Sequence, residues 1–309
     1  MAVATTSLSS CGTQKNQVEE KSSKEKVSSK TADPLFKKAL AKENAGDYQG
    51  AISIYSKLIE ENPKNIKAYY YRAIALKNSK DYKKALSDIN QLIEIDRKEK
   101  LLKPNKNKAT PYLLRGDIKF KSEDYPGAIS DYKKTIKLDP KNSFAYDTLS
   151  IISLLSDKPK DSINYLNKAL EIDPNQDILY ARRGVSKKRL KDYIGAIKDY
   201  NKAIDLNPNS EVAYSSRGQV KLLLKDYTGA IKDLQKGIRI EPNSYFAHIV
   251  LAYTKLQVKD LRGALLASNK SIKINPKYVY SYEVRGYIKN KLGDLKGGCI
   301  ERLYRYIRN

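Results

Sequence analysis

Past residue 31 the apolar and small residues of this chain recur with two superimposed periods. Locally they lie three or four residues apart, the spacing that gathers side chains on one face of an α-helix. Over longer distances the whole arrangement returns every 34 residues, most plainly in 177–210, DILYARRGVSKKRLKDYIGAIKDYNKAIDLNPNS. Counting Asp177 as position 1, Tyr180, Gly184, Tyr193, Ala196, Tyr200, Ala203 and Pro208 occupy positions 4, 8, 17, 20, 24, 27 and 32. A period of this length belongs to repeat architectures, in which each unit buries its apolar face against its neighbours. A proline at position 32, where it occurs, stops a helix and turns the chain into the next unit.

Those positions resemble the tetratricopeptide repeat, a hairpin of two helices, A and B. The resemblance implies an all-α, right-handed superhelical solenoid. Where A and B cross, anything larger than Ser would push the backbones apart. Position 8 reads Ala39, Ala73, Gly116, Ser150, Gly184, Gly218, Ala252 and Gly286, and position 20 reads Ala51, Ala85, Ala128, Ser162, Ala196, Ala230, Ala264 and Gly298. Tyr at positions 4, 17 and 24 is expected to fill the space around that crossing. Eight repeats follow: 32–65, 66–99, 109–142, 143–176, 177–210, 211–244, 245–278 and 279–309. An insertion, 100–108 (KLLKPNKNK), separates the second from the third, and Arg97 replaces the proline that would end helix B. A lengthened helix and a basic loop both fit, with a kink in the stack expected there. Arg302, Arg305 and Arg308 give the last repeat a polar outer face, as a terminal repeat needs.

Ahead of the repeats, 1–31 form a tail. Leu8-Ser9-Ser10-Cys11 resembles the lipobox of bacterial lipoproteins, but the basic start and longer apolar core of such a signal are missing. If the true start lies upstream of Met1, residues 1–10 are the end of a signal, Cys11 carries a lipid, and the protein is a bacterial membrane-anchored lipoprotein. The tail is otherwise a disordered cytoplasmic segment with an incidental cysteine. Residues 12–31 are polar and expected to be disordered, a tether with a reach of roughly 25 Å. The two cysteines, Cys11 and Cys299, lie in unlike settings and imply no disulfide framework.

Comparing the repeats with one another brings out a pairing. Position 7 is Arg wherever position 23 is acidic: Arg72 with Asp88, Arg115 with Asp131, Arg183 with Asp199, Arg217 with Asp233, Arg285 with Glu301. The other three repeats have neither, reading Lys38 with Ile54, Leu149 with Tyr165 and Leu251 with Ala267. The match holds within a repeat and fails between neighbours, which predicts a structural ion pair joining helices A and B of one hairpin.

No P-loop, nucleophile elbow or Cys/His cluster is present, and the single histidine, His248, stands at position 4 as a core substitution. The chain reads as non-catalytic, with no metal and no cofactor. In the fold implied by the resemblance, helix A positions 2, 6, 9 and 13 line a concave groove. They supply Phe144 and Ile151, then Arg182 and Arg189, then Phe246, Val250, Tyr253, Tyr280, Val284, Tyr287 and Lys291. Aromatics with cations beside them suit a peptide hot spot, so a peptide or helix of a partner protein, acidic in part, is expected there. Position 5 carries no Lys in any repeat, so the carboxylate clamp by which some relatives hold chaperones does not carry over. The net charge of +24 allows an RNA-binding solenoid as an alternative, and a regulatory subunit of an enzyme complex is a third reading. Lysines spread over helix B and the turns look more like a solvated face than a nucleic-acid footprint. A membrane contact is expected only through a lipid on Cys11.

Overall fold

The computed structural model describes residues 33–102 and 106–297. Cys11, the tether 12–31, Cys299, Glu301, Arg302, Arg305 and Arg308 lie outside the described residues. Among the described residues there are fifteen α-helices and no strand. In chain order they are α1 (Pro34–Asn44), α2 (Tyr48–Glu61), α3 (Ile66–Asn78), α4 (Tyr82–Glu99), α5 (Lys106–Lys121), α6 (Tyr125–Leu138), α7 (Ser143–Leu155) and α8 (Pro159–Ile172). There follow α9 (Asp177–Arg189), α10 (Tyr193–Leu206), α11 (Glu211–Leu223), α12 (Tyr227–Ile240), α13 (Tyr245–Gln257), α14 (Leu261–Ile274) and α15 (Val279–Lys291). Contacts divide the chain into two units, with the boundary between Ile152 and Ser153 inside α7.

Each unit is a run of antiparallel hairpins: α1/α2, α3/α4 and α5/α6 in the first, α9/α10, α11/α12 and α13/α14 in the second. At the crossing points Ala39, Ala51, Ala73, Ala85, Ala128, Ala196, Ala230, Ala252 and Ala264 are fully buried. A Cβ on Gly184 would stand 2.6 Å from Tyr200 Cε1, and one on Gly218 2.8 Å from Leu234 Cγ, so these glycines admit the large residue at position 24. Tyr55, Tyr132 and Tyr200 at that position have no exposed surface. Tyr48, Tyr82, Tyr125, Tyr193 and Tyr227 at position 17 are only half-buried, outside the crossing.

The turn between A and B has a fixed chemistry. An aspartate N-caps helix B: Asp192, Asp226 and Asp260 each accept from the backbone N–H three residues on, at 2.9 Å. The residue before the cap is left-handed, and in six turns it is not glycine: Lys80, Glu123, Lys191, Lys225 and Lys259 have φ between 62° and 67°, and Asp157, before the Lys158 cap of α8, has φ 54°. The prolines end helix B as expected, with the preceding residue extended, as in Asn62 and Asn207. In the second repeat Arg97 permits α4 to continue to Glu99, where Lys100 in the left-handed region closes it. This lengthened helix is the first of the two alternatives; α5 then begins at Lys106, three residues before the repeat register.

Candidate peptide-binding surfaces

Polar side chains first fix how one hairpin meets the next. Arg217 donates from Nε and Nη2 to the two carboxylate oxygens of Asp233 at 2.8 and 2.7 Å. The same fork joins Arg72 to Asp88, Arg115 to Asp131 and Arg183 to Asp199 at 2.6 to 2.9 Å. The partner predicted for Arg285 is Glu301, outside the described residues. The remaining nitrogen, Nη1, reaches back to position 25 of the preceding hairpin: Ser56 for Arg72, Asn90 for Arg115, Asn167 for Arg183, Asn201 for Arg217 and Asn269 for Arg285, at 2.6 to 2.9 Å. Each guanidinium also lies over the position-4 ring three residues earlier, Tyr69, Tyr112, Tyr180, Tyr214 or Tyr282, at 5.4 to 5.7 Å from its centroid. Tyr at position 4 therefore does not fill the crossing as the pattern suggested; it is the platform on which the arginine lies.

The carboxylate takes a second cation from position 11, with Lys119, Lys187 and Lys221 each 2.8 Å from Asp131, Asp199 and Asp233. Burial alone would raise the Asp233 carboxyl, but the hydrogen bonds from Arg217 and Lys221 outweigh it and hold it below its ordinary value. The link to position 25 went unread in the sequence although it left a signal. Position 25 is Asn or Ser before every repeat that has the arginine, and Lys133 or Gln235 before Leu149 and Leu251.

In the second unit the groove residues separate into three kinds. Arg182 is buried. Arg189 spends its guanidinium on the Leu154 carbonyl oxygen at 2.6 Å and stands 3.6 Å from Asp157; burial pushes it below the usual arginine value. Phe246, Val250 and Val284 are also buried, part of the core rather than its surface, which corrects their placement on an open groove. What remains open on this face is Tyr253, Tyr287 and Lys291, the tyrosines 38% and 42% exposed, with Lys291 Nζ 5.5 Å from the Tyr287 ring centroid. Tyr280 is half-buried beside them, 6.2 Å from Tyr278, and burial, with Tyr253 and Tyr278 nearby, pushes its hydroxyl up to about 12. It is a neutral donor at any physiological pH.

In the first unit Phe144 and Ile151 are half-buried. A pocket of about 190 Å³ that the residue pattern did not reveal lies elsewhere, walled by Ile66, Tyr70, Tyr71, Leu92, Leu102 and Pro111. One wall is Leu102, just past the lengthened α4, which donates its backbone N–H back to Asp96 Oδ1 of that helix at 2.6 Å. Tyr70 and Tyr71 meet edge to face at 5.4 Å, and Phe36 meets Tyr71 likewise at 5.1 Å. Lys67 stands at the rim. Both units thus offer tyrosine beside lysine on helix A, each by itself.

His248 has Nε2 3.1 Å from the Pro242 carbonyl oxygen, and burial holds it below the usual histidine value. Among the described residues no three His, Cys, Asp or Glu side chains gather as metal ligands would, and no helix is long and apolar enough to cross a membrane.

Solved structures with this fold are numerous. The C-terminal part of a TPR repeat-containing protein from Cytophaga hutchinsonii aligns over 81% of this chain and 98% of its own, with 18% identity and a TM-score of 0.60. A chain of the APC/C hetero-tetramer Cut9–Hcn1 aligns over 81% with 16% identity and a TM-score of 0.64; this chain spans 48% of its length. YrrB, described as a TPR protein with an unusual peptide-binding site, aligns over 67% of this chain and 97% of its own, with 21% identity and a TM-score of 0.51. No curated protein matches the sequence significantly. Family patterns described as tetratricopeptide repeat match residues 44–103, 109–142, 179–210 and 212–244, just over half the chain, which belongs to the tetratricopeptide-repeat proteins.

Proposed function

We propose that this chain is a non-catalytic interaction scaffold whose helix A faces hold a peptide or helix of a partner protein. The observation that carries the reading is the pair Tyr253 and Tyr287 with Lys291, left open on a face where Phe246, Val250 and Val284 are buried. Tyr offers a large apolar ring at little entropic cost and a hydroxyl to pair, and a cation beside it selects a carboxylate. The aromatic pocket between α3 and α5 gives the first unit a surface of the same chemistry. The peptide-binding site described for YrrB, a protein of the same fold, supports the class of function.

The test is crosslinking and recovery of partners from the native source with the intact chain and with Tyr253→Ala/Tyr287→Ala. Both tyrosines are open, so the variant keeps its helicity by circular dichroism, whereas a Phe246→Ala change would excavate the core and confuse binding with folding. Loss of specific partners with the fold intact is the expected result. Equal recovery by both chains refutes the surface.

A further inference from the structure

In the seventh repeat the arginine network, its tyrosine platform included, has been removed as a set. Position 4 is His248 instead of Tyr, position 7 is Leu251 instead of Arg, position 23 is Ala267 instead of Asp, and position 25 of the preceding hairpin is Gln235 instead of Asn. Deleting one partner of such a network would strand the others; deleting all four leaves space. That space is an open depression of about 470 Å³ between α12, α13 and α14, floored by Leu251, Ala267 and Ile238, with Leu266 standing 71% exposed at its edge.

Its rim is cationic. Lys255, at position 11, finds no aspartate at position 23 and instead pairs with the cap Asp260 at 2.9 Å. Arg239 and Lys270 are exposed and make no hydrogen bond or ion pair among the described residues. Positions 4, 7 and 11 lie on the side of α13 opposite position 9, so this depression faces away from Tyr253. An apolar floor under unpartnered cations fits one kind of occupant: an aliphatic side chain seated on Leu251 and Leu266 with a carboxylate beside it reaching Arg239 and Lys270.

We infer that the depression over Leu251 and Ala267 is a second binding site, on the opposite face of α13 from the tyrosines, for an acidic peptide segment carrying an aliphatic residue next to a carboxylate. The site extends the scaffold reading but does not depend on the tyrosine surface.

Fluorescence anisotropy of the full chain with a short labelled peptide alternating aspartate and leucine tests it. Two variants address the pocket. Leu251→Arg/Ala267→Asp rebuilds the internal ion pair and fills the space, and Arg239→Glu/Lys270→Glu reverses the rim while touching no core residue. Each is expected to weaken binding by about tenfold or more. Tyr253→Ala/Tyr287→Ala is expected to leave it unchanged, which separates this site from the surface proposed above. A lysine–leucine peptide and an aspartate–serine peptide are expected not to bind. The inference is overturned if the wild-type chain does not bind the aspartate–leucine peptide, if the rim reversal leaves binding intact, or if only the tyrosine variant loses it. It also falls if a short single-stranded RNA, and not the peptide, responds to the rim.

Discussion

The sixth and seventh hairpins are adjacent and nearly superimposable in sequence register, yet their interiors differ. In α11/α12 a guanidinium and a carboxylate hold the two helices together, with Lys221 and Asn201 completing the set. In α13/α14 the same places are Leu251 and Ala267, and no polar side chain replaces them. Both hairpins keep small, buried residues at the crossing, Gly218 with Ala230 and Ala252 with Ala264, and both cap helix B with aspartate. The difference teaches that backbone approach and capping make the hairpin, while the ion pair fixes which neighbours it holds.

The comparison can be broken most directly by Arg217→Ala. It leaves Asp233 buried with Lys221 alone and is expected to cost about 3 kcal/mol in denaturant unfolding, the low end for a broken buried pair because the guanidinium is partly exposed. Unchanged stability would mean that the network is idle. A smaller effect is expected from acid, since a protonated Asp233 still accepts one hydrogen bond. Its carboxyl is depressed in the fold, so its contribution is fully present above the unfolded value of about 3.9 and is lost as pH falls through the lower folded one. Protection of the amides of α11 and α12, corrected for the slower intrinsic exchange in acid, should therefore fall on acidification more than in α13 and α14; equal change in both would count against the pair.

Installing the seventh repeat's pair in the sixth, Arg217→Leu/Asp233→Ala, is expected to cost only about 1 kcal/mol, well under the Arg217→Ala loss, because no charge is left stranded. A double variant as damaged as the sum of its single changes would contradict this. Smallest, and opposite in sign, is the turn. Lys225→Gly and Lys259→Gly relieve a left-handed residue in either hairpin and should each raise stability by up to about 1 kcal/mol, read as a higher midpoint.

The hairpin fold was legible because the chain writes it many times: a small residue repeated at positions 8 and 20 has one explanation wherever it stands. The arginine–aspartate register was legible for the same reason. Its third contact, to Asn or Ser at position 25, joins different repeats, so no residue within a single repeat betrays it. The candidate surface was less legible. Spacing gives the side of a helix on which Phe246, Val250 and Val284 lie, but how closely the next hairpin covers that side depends on packing along the stack. The pocket lined by Tyr70 and Tyr71 depends on the path of an insertion, and an insertion by nature breaks the period that made the rest readable.

Because Arg72, Arg115, Arg183 and Arg217 each grip their own hairpin and the one before it, the hairpins they join are less like separate beads than like links closed on one another. Arg217, bound at once to Asp233 and Asn201, ties the fifth hairpin to the sixth. Between the sixth and seventh, where Gln235 faces Leu251, that rivet is missing, and Glu211, accepting from Ser244 at 2.7 Å, remains beside apolar contact.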